Sequence, residues 1–133
     1  MSDSIEMNYY DPETTTWTVN LDGRYMSAVQ NYLLADGIPL EGVTRIVSNA
    51  AQTLSYCPYP EGNGTCQKTG IVIGKVQSGK TSNFISITAL AFDNNYDIVI
   101  VFGGTKKPLV KQNRDRIKEY FEATKDVLVL DTT

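Results

Sequence analysis

The 133-residue chain has no histidine and only two cysteines, Cys57 and Cys66. Without an imidazole, neither a Ser–His–Asp triad nor a Cys–His pair can be assembled. Two thiols are too few for a closed structural zinc site. Both are expected to be reduced, because a reducing compartment disfavours a disulfide. No apolar run approaches about 20 residues, so nothing is expected to span a membrane. The leading stretch MSDSIEMNYYDPE is acidic and has no apolar centre, unlike a signal peptide, and the cytoplasm is the expected location. Ten glycines and five prolines exclude collagen-like and disordered classes.

What is present describes one globular domain, with 41% hydrophobic and 20% charged residues. The net charge of −3 is unevenly spread. Residues 1–69 carry eight acids and three bases, whereas residues 104–133 carry seven bases and five acids. The bases cluster at Lys106, Lys107, Lys111, Arg114, Arg116 and Lys118. The chain as a whole is too acidic to hold nucleic acid by bulk charge, but this last segment is not.

Hydrophobic spacing divides the chain into an N-terminal arm and helical lead-in, 1–69, and a second segment, 70–133. Residues 1–20 read as a loose arm, or as an added strand around Trp17 and Val19. Tyr25, Val29 and Leu33 recur every fourth residue and predict a helix that Gly37 ends in a left-handed turn. Pro39 opens a second helix with Val43, Ile46, Val47, Ala50 and Leu54 on one face. Pro58, Pro60, Gly62, Asn63 and Gly64 then mark a surface loop.

Beyond Gly70, Ile71-Val72-Ile73 reads as a short buried strand, residues 80–92 as a helix with Phe84, Ile87, Thr88 and Ala91 on one side, and Asp93-Asn94-Asn95 as its end. Asp97 to Phe102 reads as a second buried strand, residues 107–124 as a charged helix, and Val127 to Leu130 as a third strand. Strand and helix in alternation predict an α/β fold with a three-stranded, mainly parallel sheet and flanking helices. Three strands also leave open sheet edges, through which self-association is expected.

Between the first predicted strand and its helix stand Gly74, Lys75, Val76, Gln77, Ser78, Gly79, Lys80 and Thr81, a full match to G-x-x-x-x-G-K-[ST]. The residue types suit phosphate. Glycines let successive N–H groups turn inward as an anion nest, and the helix beginning there adds its positive end and unpaired amides. Lys80 supplies an ammonium for the β- and γ-phosphates of ATP, and the Thr81 hydroxyl a ligand for Mg²⁺. Ser82 extends the run of polar groups. Hydrolysis also needs a carboxylate near a strand end. Asp131 is the candidate, though it reads better as an ordinary strand-end aspartate.

The basic segment has two readings. Thr105, Lys106, Lys107, Lys111 and Arg114 suit contact with nucleic-acid phosphates. Equally, Asp115, Glu119 and Glu122 lie at pairing distance along a helix and would make it an ordinary solvated face.

The stretch from Gly70 to Asn83, with Val-Gln-Ser-Gly-Lys-Thr at its centre, and the apolar run ending Val101-Phe102-Gly103-Gly104 resemble the P-loop, RecA-like domain of superfamily-two helicase-like ATPases. Within these, the chain looks closest to the endonuclease-named "Z-one" domain proteins of bacterial restriction and phage-defence systems. The resemblance spans about residues 24–125, and its specific part is residues 70–104. It implies ATP and Mg²⁺ binding in a DNA-acting ATPase, with Thr105 to Gln112 as the segment touching the nucleic-acid backbone. Leu109 and Gln112 stand one residue further from Thr105 than that family's usual pattern, with Pro108 inserted. No second RecA-like domain, arginine finger or nuclease carboxylate–lysine cluster is found. The expectation is therefore an incomplete module of a longer ATPase, weak in hydrolysis alone. A small P-loop kinase and a non-catalytic phosphate-binding interaction module are the alternatives.

Overall fold

A computed structural model describes residues 16–60, 69–72, 80–102 and 106–121. They form four helices: α1 (Arg24–Ala35), α2 (Leu40–Ser55), α3 (Lys80–Asp93) and α4 (Lys107–Phe121). α3 is the centre, packed most extensively on α2 and α1, while α4 lies across α1 and touches α3. The core is built from Met26, Val29 and Leu33 of α1, Val43, Val47, Ala50 and Leu54 of α2, Ile85, Ala89, Leu90 and Ala91 of α3, and Tyr120 and Phe121 of α4.

The helices end where local chemistry stops them. Gly37 has φ of +94°, a conformation that costs an L side chain energy. Its N–H bonds the Leu34 carbonyl, and the Ile38 N–H bonds that of Leu33. This pair of back-reaching bonds is a Schellman motif. α3 ends the same way, with Asn95 at φ of +73° and the Tyr96 N–H donating to the Ala91 carbonyl. Asparagine is the residue next best suited to that turn.

The start of α1 is capped from a distance. Gly23 offers no side chain, so the Asp93 carboxylate accepts from the N–H groups of Tyr25 (3.0 Å) and Met26 (2.8 Å). That approach needs glycine, since a Cβ at Gly23 would stand 2.0 Å from Asp93 Cγ. Asn94, buried beside it, accepts from the Asn20 N–H (2.8 Å) and donates to the Asn20 carbonyl (3.0 Å). The Trp17 indole N–H donates to the Cys57 carbonyl (2.9 Å), and the Tyr96 hydroxyl donates to that of Pro58. Residues 17–26 are thereby strapped over the C-terminal ends of α2 and α3, and no strand forms around Trp17 and Val19.

The α/β expectation is overturned. Among the described residues there is no strand and no sheet. Asp97–Phe102 is irregular, with Ile98, Ile100 and Phe102 exposed to 77%, 73% and 93%. Ile71 is 76% exposed and also unpaired in any strand. Ile73, Val127 to Leu130 and Asp131 lie outside the described residues. The physical reason is competition for apolar surface. A buried parallel strand needs helices covering both its faces. Here α3 packs chiefly on α1 and α2, and of the run 97–102 only Val99 packs against the core.

The same central position corrects the face assigned to α3. Thr88 and Ala91 are buried as expected, but Phe84 and Ile87 are half-buried, and Ile85, Ser86, Ala89 and Leu90 are fully enclosed. A helix surrounded by neighbours buries most of its circumference and shows no single apolar stripe.

Candidate phosphate site at the start of α3

α3 begins at Lys80, so the Gly-Lys-Thr end of the phosphate-binding pattern coincides with a helix N-terminus. Such an end presents unpaired N–H groups and a partial positive charge. Thr81 and Ser82 lie in the first turn and are half-buried, while Asn83 is buried. Gly74, Lys75, Val76, Gln77, Ser78 and Gly79 lie outside the described residues, as does Thr105. The described part of the site is thus a hydroxyl-rich first turn, which suits a phosphate ester and its Mg²⁺. No group of three or more acidic or thiol side chains able to hold a metal occurs among the described residues.

One residue that the sequence does not single out stands beside this turn. Tyr120 of α4 shares a hydrogen bond with Ser82. Burial pushes the Tyr120 hydroxyl pKa up, and the Ser82 hydrogen bond and the Arg116 charge pull against that shift. Tyr32 of α1 packs on Tyr120 with ring centroids 4.3 Å apart and donates to Glu119. The Glu119 hydrogen bond, followed by desolvation and the Glu119 charge, raises the Tyr32 hydroxyl from 10.0 to about 12. The available signal was weak: Tyr25 and Tyr32 are seven residues apart on one helix face, and both meet aromatic residues of α4. One turn further along α3, the Ser86 hydroxyl is fully buried and has no hydrogen-bond partner among the described residues.

The basic set divides. Lys106, Lys107 and Lys111 are exposed. Arg114 is turned partly inward, its Nε 3.5 Å from Asp115. Val110, Asn113, Arg114 and Ile117 lie on the less exposed side of α4, which continues into buried Tyr120 and Phe121. The first turn of α4 contains no acid, so Lys107 opposes the helix dipole there. Glu119 is engaged by Tyr32, a partner not anticipated by pairing along the helix.

The Cys57 Sγ lies 3.6 Å from the Thr53 carbonyl oxygen, and Cys66 lies outside the described residues. No helix among the described residues is long and apolar enough to cross a membrane. No family model, no curated protein and no solved structure matches the chain.

Proposed function

We propose that Gly74–Thr81 binds the phosphates of ATP together with Mg²⁺, and that the chain serves as the nucleotide-binding module of a DNA-acting, helicase-type ATPase. The observation that carries this reading is the complete G-x-x-x-x-G-K-T pattern running into a helix that begins at Lys80. In this reading the backbone amides of Val76 to Thr81 cradle the phosphates. Lys80 meets the β- and γ-phosphates, Thr81 holds the metal, and Ser82 supports the turn. Mg²⁺ neutralises phosphate charge when bound. The exposed lysines Lys106, Lys107 and Lys111 are the DNA-facing charges, with Thr105 and Arg114 at their margin. The cytoplasm is the location that goes with this reading.

The test is a calorimetric titration with a non-hydrolysable ATP analogue and Mg²⁺, run beside Lys80→Ala. Saturable binding by the natural chain and its loss in the variant, with helicity unchanged, is expected. Equal binding by both proteins would remove Lys80 and the proposed cradle from the site.

A further inference from the structure

We propose that Asp97–Phe102 is an interaction strand through which two copies of this chain pair antiparallel. Exposure alternates in degree along the run. Ile98, Ile100 and Phe102 are exposed to 77%, 73% and 93%, Val101 is exposed to 39%, and Val99 packs against the core. That is the periodicity of a half-buried strand, presented by a segment that forms no ladder with another described residue. Among the described residues, none from 97 to 102 is seen in a hydrogen bond or an ion pair. The run contains no proline or glycine to interrupt a ladder, and no charge follows Asp97 until Lys106. Open backbone groups beside a row of β-branched and aromatic side chains form a template for strand addition.

Charge and register select a second copy as the occupant. Asp97 stands exposed at one end of the run, and exposed Lys106 and Lys107 follow the other. Antiparallel pairing sets the acidic end of each copy toward the basic end of the other, at both ends of the ladder. Parallel pairing would set like charges together. In the register that puts Ile100 opposite Ile100, Ile98 of one copy faces Phe102 of the other, and the exposed apolar row becomes continuous. Cross-strand aromatic and β-branched pairs of this kind are favourable. One short strand pair is a small interface, so association is expected in the micromolar range rather than the nanomolar.

Sedimentation velocity on the chain, from low to high micromolar concentration, tests this directly. The expected result is a concentration-dependent monomer–dimer equilibrium. Ile100→Pro, which removes a ladder donor, and Phe102→Asp should each weaken it by about tenfold or more, with helical circular dichroism unchanged. Charge reversal tests the orientation without disturbing the apolar row. Asp97→Lys alone and Lys106→Asp/Lys107→Asp alone should each weaken dimerisation, and an equimolar mixture of the two variants should restore it as a heterodimer. A natural chain that stays monomeric throughout would overturn the proposal and leave the strand to a different occupant. A dimer indifferent to Ile100→Pro and Phe102→Asp would overturn it too, by placing the interface elsewhere.

Discussion

Residues 93–96 and residues 97–102 are neighbours in the chain and opposites in what they touch. The first group is polar apart from its tyrosine ring, yet each of its residues ties the chain to another described residue or turns it. Asp93 caps α1, Asn94 brackets the Asn20 backbone, Asn95 turns the chain, and Tyr96 reaches Pro58. The second group is nearly all apolar, and most of it faces solvent. Hydrophobicity supplies a drive to leave water but no direction, so burial requires a surface that is free to receive the side chain. Polar groups carry direction, and a few of them placed at helix ends hold elements together that share little apolar area.

Mutation can break this contrast, and the largest effect belongs to the core both regions lean on. Leu33→Ala, at a fully enclosed position, should cost about 2–5 kcal/mol in urea unfolding. Asp93→Ala leaves two N–H groups of α1 without acceptors and should cost about 1–2 kcal/mol by the same measurement. A loss confined to about 0.2 kcal/mol would mean that water caps α1 as well as Asp93 does. Ile71→Ser, at an exposed apolar position, should stay within about 0.5 kcal/mol of the natural chain despite removing a larger hydrophobe.

The smallest effect is a pH dependence. Tyr32 has its hydroxyl pKa raised from 10.0 to about 12, so the folded state favours the protonated form. Its contribution to stability is complete below pH 10 and is lost as pH rises through about 12. Tyr32→Phe should therefore flatten the alkaline decline of the unfolding midpoint over that window. An unchanged slope would show that the Glu119 hydrogen bond contributes nothing to the fold.

Much of the helical framework was legible because its causes are local. Val29 and Leu33, and Val43, Val47, Ala50 and Leu54, repeat at helical spacing and are buried as the spacing predicts, whereas Tyr25 and Ile46 of the same rows are only half-buried. Gly37 announced its left-handed turn, and Asp93-Asn94-Asn95 announced the end of α3 without its left-handed form. The phosphate pattern and the start of its helix were also visible along the chain. The second hydrogen-bonded layer was not. Tyr120 meets Ser82, and Tyr32 meets Glu119 across 87 residues, only because α4 crosses α1. The strand expectation failed for a related reason. Ile98 to Phe102 has strand composition, but a strand exists only with a partner, and composition names none.

The sequence by itself determined the four helices, the left-handed turn that ends α1, the point where α3 ends, and the placing of Gly-Lys-Thr at a helix start, since each rests on contacts within a few residues. Only the tertiary structure decided that α3 is enclosed, that Asp93 rather than a local residue caps α1, and that the apolar runs at Ile71 and Asp97–Phe102 stay uncovered. Those outcomes depend on which surfaces compete for which partners, and that competition is settled between elements distant in the chain.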